Sequence, residues 1–129
     1  MKIEHLAIWV IDLEGMKDFY IQFFDGVAGE KYHNASKQFT SYFISFSTGP
    51  RIELMHQPDL AMTTEFHHQT NVGLAHFAMS LGSKFAVDAL TEQLRQAGYE
   101  IVGEPRTTGD GYYESVVLDP EGNRVEITE

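Results

Sequence analysis

The sequence contains an internal repeat that covers most of its length. The segment HLAIWV, which begins at His5, and the segment HFAMSL, which begins at His76, share a pattern of histidine, apolar residue and alanine at a spacing of 71 residues. The segments RIEL, from Arg51, and RVEI, from Arg124, match again at a spacing of 73 residues. A repeat of this kind indicates that one structural unit is used more than once. We therefore predict two modules of the same type.

A helix is predicted after the first strand of each module. The first helix spans 13–24 after Asp12 and the second spans 84–97 after Ser83, and both Asp and Ser are favoured as helix N-caps. Gly26 and Gly98 are predicted to stop them. The apolar residues recur at helical spacing, and the predicted buried faces are formed by Met16, Phe19, Tyr20, Phe23 and Phe24 in the first helix and by Phe85, Ala89, Leu90 and Leu94 in the second.

Strand-forming residues follow each helix. Residues 39–46 and 112–118 are rich in aromatic and β-branched side chains, and each run enters a turn that contains Pro and Gly. A short strand leaves each turn, at 51–54 and at 124–127. We predict an α+β fold of two tandem βαβββ modules in a single domain, with module 1 at about 1–56, a connector at about 57–73 and module 2 at about 74–129.

Composition excludes several classes of function. Nineteen acidic and nine basic residues give a formal net charge of −10, which disfavours nucleic acid and anionic membranes as partners. The first apolar run ends at Asp12 and is too short for a signal peptide or a membrane span, so we expect a cytoplasmic protein. Because the chain has no cysteine, a metal ion would have to bind histidine and carboxylate groups.

Four polar residues occupy equivalent places in the two modules. Side chains alternate between the two faces of a strand, so His5 and Glu53 are predicted to face away from the first helix. The same count puts His76 and Glu126 on the corresponding face of module 2. If the modules are related by a local two-fold axis, these four residues meet. Two imidazoles and two carboxylates suit one divalent ion such as Ni²⁺, Zn²⁺, Co²⁺ or Mn²⁺.

The module order and these four residues resemble the vicinal oxygen chelate superfamily, which includes glyoxalases, bleomycin-resistance proteins and extradiol dioxygenases. The turn Asp119-Pro120-Glu121-Gly122-Asn123 before Glu126 is similar to the final hairpin of that superfamily. The resemblance implies a glyoxalase-like open barrel or cleft. Within the superfamily, a set of two histidines and two glutamates is most similar to small bacterial glyoxalase I, a lactoylglutathione lyase.

This resemblance implies a reaction as well as a fold. The expected substrate is a small oxygenated molecule, such as the hemithioacetal of an aldehyde and a low-molecular-weight thiol. The metal, held by His5, Glu53, His76 and Glu126, is implied to polarise the substrate oxygens and to stabilise an enediolate. Glu126, or Glu53 by the near symmetry of the site, is implied to be the catalytic base that transfers the proton.

Two alternative functions remain open. The segment from Arg106 to Glu114 is similar to one in fosfomycin-modifying thiol transferases, which use only two histidines and one glutamate, so Glu53 separates them from an isomerase. A metal-free drug-binding protein, like the bleomycin-resistance proteins, is the second alternative, and it does not need the four ligands. The predicted substrate contacts are Trp9, Met55, Arg106, Tyr112 and Tyr113.

Trp9 departs from the glyoxalase I pattern, which has an arginine at this position for the carboxylate of glutathione. The segment Leu54-Met55-His56-Gln57 also lacks the asparagine expected there. A different thiol, or none, is therefore an open alternative. The long connector makes a homodimer with exchanged modules plausible, and the sequence leaves open whether the site forms within one chain or between two.

Overall fold

The computed structural model describes residues 1–61 and 72–129, so residues 62–71 of the predicted connector lie outside the described residues. Contacts between residues divide the chain into two units, Met1–Thr63 and Thr64–Glu129. Each unit has one sheet and one described helix. The fold is therefore mixed α+β and consists of two tandem βαβββ modules. Neither helix in the described ranges has the length and hydrophobicity that crossing a membrane requires.

The first unit has one helix and five strands in its described residues. In chain order these elements are β1 His5–Trp9, α1 Leu13–Phe24, β2 Val27–Ala28, β3 Tyr32–Asn34, β4 Phe39–Ser45 and β5 Arg51–His56. The sheet order is β1-β5-β4-β2, and β3 also pairs with β4. β1 runs parallel to β5, with Ala7 opposite Glu53. With the short strands β2 and β3, unit 1 has four described strands after its helix, whereas two or three were predicted.

The second unit repeats this arrangement without the additional short strands. Its described elements are β6 Phe77–Ser80, α2 Lys84–Gln96, β7 Ile101–Thr107, β8 Tyr113–Leu118 and β9 Arg124–Thr128. The sheet order is β6-β9-β8-β7. β6 runs parallel to β9, with Ala78 opposite Glu126. Ala78 and Glu126 correspond to Ala7 and Glu53 in the sequence repeat. The segments that repeat in the sequence therefore also pair in the same register in the two sheets.

The predicted helix N-caps are confirmed. The Asp12 carboxylate accepts a hydrogen bond from the backbone N–H of Gly15 at 2.9 Å. The Ser83 hydroxyl accepts one from the backbone N–H of Ala86 at 3.2 Å. Each bond satisfies an amide that has no partner within its helix. The predicted apolar face of α1 is also confirmed, because all five of its residues are buried.

The predicted apolar face of α2 is partly wrong. Phe85 is 81% exposed and Ala89 is also exposed, and the buried residues are Val87, Leu90, Thr91 and Leu94. These four recur at helical spacing, but the set includes a polar residue. The Thr91 hydroxyl donates to the carbonyl of Val87 and also bonds the hydroxyl of Ser115, both at 2.6 Å. Thr91 can be buried because both hydrogen-bonding roles of its hydroxyl are satisfied.

Gly26 ends α1 for a reason other than the one predicted. The residue with left-handed backbone is Asp25, at φ 53°, and Gly26 follows it. A Cβ at Gly26 would lie 2.6 Å from the Cγ2 of Ile44 and 2.9 Å from the carbonyl oxygen of Tyr20. Glycine is therefore required at this position by close packing between the helix end and β4. Gly98, after α2, does adopt the left-handed region at φ 90°, as the prediction requires.

A charged network links α1 to β4 and gives a test of the fold. The Glu14 carboxylate accepts hydrogen bonds from Lys17 at 2.7 Å, Lys31 at 2.8 Å and the Tyr42 hydroxyl at 3.2 Å. The hydrogen bonds from Lys17 and then Lys31 lower the pKa of Glu14 from 4.5 to about 2. The ionised form is therefore favoured in the folded state. Its contribution to stability is present above pH 4.5 and is lost as the pH falls toward 2.

We expect Glu14→Gln to lower the free energy of unfolding by about 1 kcal/mol near pH 7. The full pKa shift would correspond to more, but 49% of the Glu14 side chain is exposed and solvent screens the pairs. Denaturant unfolding from neutral to acid pH measures the effect. The difference from wild type should disappear as the pH falls toward 2. Glu30→Gln, at an exposed glutamate outside the network, is the control, and an equal loss in both variants would contradict this assignment.

Candidate functional site

The first strand of unit 1 alternates between two environments, as predicted. His5, Ala7 and Trp9 are exposed, whereas Leu6 and Ile8 are partly covered and Val10 is 1% exposed. On β5, Ile52 and Leu54 are buried while Glu53 between them is partly exposed. We call the sheet side that carries His5 and Glu53 the open face of unit 1. It lies opposite the side that α1 covers.

His5 and Glu53 lie next to each other on this open face. The Nε2 atom of His5 is 3.7 Å from the Oε2 atom of Glu53, and the two side chains are 38% and 17% exposed. The ring of Phe43, on the adjacent strand β4, meets the His5 ring edge-on with centroids 5.4 Å apart. The histidine ring therefore has one nitrogen beside a carboxylate and one side against an aromatic ring.

The other nitrogen of His5 also has a carboxylate partner. Its Nδ1 atom is 2.5 Å from the Oε2 atom of Glu4. Glu4 in turn forms an ion pair with Arg51, and the Arg51 guanidinium lies 4.0 Å from the centroid of the Phe43 ring. The hydrogen bond from His5, and then those from Arg51, lower the pKa of Glu4. Glu4 lies outside the residues shared by the two modules and was not predicted as a site residue.

Unit 2 contains the equivalent pair. The Nε2 atom of His76 is 3.2 Å from the Oε2 atom of Glu126, and their side chains are 45% and 16% exposed. Glu126 lies between Val125 and Ile127, which are fully buried on the side that α2 covers. His76 itself immediately precedes β6. We call the side that carries this pair the open face of unit 2.

Glu114 is a further acidic residue on the open face of unit 2 that the sequence analysis did not identify. Its side chain is only 12% exposed and accepts a hydrogen bond from Arg106 at 3.3 Å. Burial raises the pKa of Glu114, the nearby charge of Glu126 raises it further, and Arg106 opposes both effects. Unit 1 has Ser41 at the corresponding position, opposite Met55. The two open faces therefore differ in charge next to the His–Glu pair.

The predicted substrate contacts in unit 1 lie close together. Trp9 is 48% exposed and is paired in register with Met55 on the neighbouring strand. The Phe39 ring meets the Trp9 ring edge-on with centroids 6.1 Å apart, and the centroid of the Tyr32 ring is also 6.1 Å from that of Phe39. Neither Phe39 nor Tyr32 was predicted as a neighbour of Trp9. The contact of Phe39 depends on pairing between strands that are distant in sequence, and strand β3, which carries Tyr32, was not predicted.

The predicted substrate contacts in unit 2 are divided between different environments. Arg106 is on the open face, where it pairs with Glu114. The Tyr113 hydroxyl instead donates a hydrogen bond to Asp88 of α2 at 2.7 Å, and the Lys84 ammonium lies 5.2 Å from the Tyr113 ring centroid. Tyr113 thus contacts the helix, and we leave it out of the proposed site. Tyr112 is 59% exposed and immediately precedes β8.

The geometry of each pair can be compared with that of two ligands on one ion. Ligand atoms about 2.0 to 2.2 Å from the same metal, at tetrahedral or octahedral angles, are separated by roughly 3.0 to 3.5 Å. The His76–Glu126 distance of 3.2 Å falls in this range, and the His5–Glu53 distance of 3.7 Å lies slightly beyond it. Each pair therefore fits two coordination positions after at most a small side-chain adjustment. In the ranges 1–61 and 72–129, no group of three or more potential ligands is present.

One protein-family model matches almost the whole chain. Residues 2–127 match the model described as Glyoxalase/Bleomycin resistance protein/Dioxygenase superfamily. No curated protein matches the chain in a sequence search. The family assignment of this chain therefore rests on the family model.

Solved structures of several related proteins share the fold. A glyoxylase/bleomycin resistance protein/dioxygenase domain from Frankia sp. EAN1pec aligns with a TM-score of 0.83 and 18% identity over 99% of this chain and 96% of that chain. The trypanothione-dependent glyoxalase I of Leishmania major aligns with a TM-score of 0.79 and 19% identity, over 100% and 86%. Glyoxalase I from Zea mays aligns at 0.77 and 21%, over 98% and 44%, so this chain spans less than half of the maize enzyme. At these identities the likeness establishes the fold alone.

Proposed function

Since the chain belongs to the Glyoxalase/Bleomycin resistance protein/Dioxygenase superfamily, we propose that it is a divalent-metal-dependent isomerase or lyase of the glyoxalase type. Its substrate is a small oxygenated molecule, such as the hemithioacetal of an aldehyde and a low-molecular-weight thiol. The cytoplasmic location and the homodimer expected from the sequence remain predictions that accompany this proposal.

The observation that carries the proposal is the duplicated His–Glu pair. His5 with Glu53, and His76 with Glu126, each bring one imidazole nitrogen within 4 Å of one carboxylate oxygen on an open face. A single such pair is common in proteins as a simple ion pair. Two pairs at equivalent places of a repeated module are expected if both halves of the chain serve one function.

In the proposal, these four residues bind one ion of nickel, zinc, cobalt or manganese. Imidazole and carboxylate groups are suitable ligands for all four metals. The site requires one His–Glu pair from each unit, either within one chain or from two chains of a homodimer. When bound, the ion supplies Lewis-acid chemistry by withdrawing electron density from substrate oxygens and by stabilising negative charge that develops on them.

The proton transfer in the proposed reaction is assigned to a glutamate. Isomerisation of a hemithioacetal moves a proton from one carbon to its neighbour, so the enzyme needs a base that accepts the proton and returns it. Glu126 and Glu53 are the candidates, since their side chains are 16% and 17% exposed on the open faces. Partial burial limits exchange of the abstracted proton with water. Their equivalent positions in the two modules leave both residues as candidates for the base.

The residues near the unit 1 pair bear on the identity of the substrate. Trp9, Met55 and Phe39 provide an apolar surface on the same open face as His5. An apolar surface favours contact with a hydrophobic part of a substrate over contact with a carboxylate. We therefore propose that the thiol portion of the substrate, if there is one, differs from glutathione.

A thiol transferase that acts on an antibiotic of the fosfomycin type is the second candidate function. It is favoured by Arg106, whose side chain is 54% exposed on the open face of unit 2. A guanidinium is well suited to a phosphonate, because it presents several N–H donors in a plane. The presence of Glu53 beside His5 favours the isomerase, since that transferase requires only three protein ligands.

An assay with a panel of substrates distinguishes these functions. Protein purified without a metal-affinity tag is loaded with nickel, zinc, cobalt or manganese and incubated with methylglyoxal together with glutathione or other low-molecular-weight thiols. We expect isomerisation with at least one metal and thiol, and loss of activity with a chelator. Consumption of fosfomycin without isomerisation would replace the first proposal by the second. If the protein binds a drug but no metal, both enzyme proposals fail in favour of a metal-free binding protein.

A further inference from the structure

The contacts of His5 differ from those of His76 in a way that the repeat does not explain. We propose that Glu4 is a positioning residue, which holds the His5 imidazole in the tautomer with hydrogen on Nδ1 and so presents Nε2 as the ligand atom. The role in metal binding rests on the proposed function. The tautomer itself is a property of the metal-free protein and is tested separately.

The hydrogen-bonding capacities of the two groups differ and decide which nitrogen carries the hydrogen. An ionised carboxylate can only accept hydrogen bonds, so the 2.5 Å contact between the Glu4 Oε2 and His5 Nδ1 atoms places the hydrogen on Nδ1. A neutral imidazole carries one ring hydrogen, and its other nitrogen then has a free lone pair. That nitrogen is Nε2, which lies 3.7 Å from the Glu53 carboxylate oxygen. The atom left free to bind a metal is thus the atom that faces the second candidate ligand.

Glu4 is itself held in place by two contacts with β5. The backbone N–H of Arg51 donates to the carbonyl of Glu4 at 3.1 Å, and the Arg51 guanidinium pairs with the Glu4 carboxylate. The guanidinium packs over the Phe43 ring, and Phe43 contacts the His5 ring. These contacts form a closed circuit through Glu4, Arg51, Phe43 and His5. Such a circuit restricts rotation of the imidazole more than a single exposed hydrogen bond does.

The second module has no acidic residue at the sequence position that corresponds to Glu4. The residue that precedes His76 is Ala75, at the position that Glu4 occupies before His5. An alanine side chain cannot accept a hydrogen bond, so the support for His5 is not duplicated with the ligand pair. Loss of Glu4 should therefore change His5 and leave His76 as it is. His76 thereby provides an internal control within the same molecule.

The test compares the wild-type protein with Glu4→Ala and Glu4→Asp, and uses Glu92→Ala as the control. Glu92 is an exposed glutamate on α2 whose carboxylate accepts hydrogen bonds from Arg95 and Gln96. Long-range ¹H–¹⁵N NMR correlations of the metal-free protein at about pH 8, above the ordinary pKa of imidazole, report which ring nitrogen carries the hydrogen. Zinc affinity is measured in parallel by competition with a chromophoric chelator.

We expect His5 to carry its hydrogen on Nδ1 in the wild type and in Glu92→Ala, and to shift toward the Nε2–H tautomer in Glu4→Ala. His76 should not change, and Glu4→Asp should restore part of the wild-type ratio. Zinc affinity should fall about 10- to 100-fold in Glu4→Ala, as is usual for partners of metal-binding histidines.

An unchanged His5 tautomer in Glu4→Ala overturns the proposal, whatever the zinc affinity. A shifted tautomer with unchanged zinc affinity overturns the part that concerns the metal. If the wild type binds none of the four metals, the proposed function fails, and the NMR comparison still decides whether Glu4 fixes the tautomer of His5.

Discussion

Glu53→Gln is expected to weaken divalent metal binding more than the loss of a residue outside the coordination sphere does. Loss of such an outer residue typically weakens binding about 10- to 100-fold. Glutamine has nearly the same shape as glutamate but is neutral, so it removes the charge that a divalent ion requires and retains the packing. Glu53 is partly buried on β5 beside His5, and water can replace its carboxylate only incompletely. Isomerisation should fall to background at metal concentrations that saturate the wild type.

The matched variant for this experiment is Glu126→Gln, because Glu126 occupies the equivalent position of β9 beside His76. Both variants should lose metal affinity, and the one that loses more turnover when metal is supplied in excess identifies the base. Glu30→Gln controls for the loss of one negative charge from a chain of net charge −10. Wild-type metal affinity in Glu53→Gln would remove Glu53 from the site and would favour the three-ligand thiol transferase.

Asp119→Ala is expected to lower the free energy of unfolding by about 3 kcal/mol, which corresponds to roughly 10 °C in Tm. Asp119 is only 3% exposed. Its carboxylate accepts hydrogen bonds from the backbone N–H groups of Glu121 at 3.0 Å and Asn123 at 2.9 Å, and from the Asn123 side chain at 2.9 Å. Alanine leaves all three donors without this acceptor, in a turn where water has limited access.

This turn matters for the proposed site because it leads directly into β9, which carries Glu126. Asp119→Asn is the control, since an amide oxygen can still accept the two backbone hydrogen bonds, and it should cost less than half as much stability. Thermal unfolding in metal-free buffer measures both variants. A Tm for Asp119→Ala within about 2 °C of wild type, against the roughly 10 °C expected, would show that the turn does not depend on this carboxylate.

The elements that form the two modules could be predicted from local patterns. The bounds of α1 agree with the prediction, and α2 ends one residue earlier, because both helices have a capping residue and a glycine at the ends of a periodic segment. Alternation along β1 and β5 also predicted the face that carries His5 and Glu53. Patterns of this kind depend on neighbours in the chain, and they are readable in a single sequence.

The short strands of unit 1 and the orientation of Phe85 could not be predicted. β2 has two residues and β3 has three, so neither is long enough to show a period. Both are formed by pairing with β4, which is a long-range contact. Phe85 is apolar but lies outside the buried face of α2, which contains Val87 and Leu94. The burial of Thr91 depends on its hydrogen bond with Ser115, in a strand that is distant in sequence.

Some residues near the two His–Glu pairs differ between the modules, and they were not predicted for another reason. The repeat identifies residues that are the same in both modules, whereas Glu4 and Glu114 correspond to Ala75 and Ser41. Their relevance follows from side-chain contacts with His5 and Arg106. Those contacts depend on strand register and on side-chain conformation. A single sequence specifies neither directly.

The number of metal ions bound per chain tests the central claim most directly. Elemental analysis of tag-free protein, after loading with zinc and removal of excess metal, should give one ion per chain for the wild type. His5→Ala and His76→Ala should each reduce this number nearly to zero, because each removes an imidazole ligand and leaves one histidine and two glutamates to hold the ion. Two ions per chain in the wild type, or retention of one ion in either variant, would contradict the account, because it would mean that the two pairs do not share a single ion.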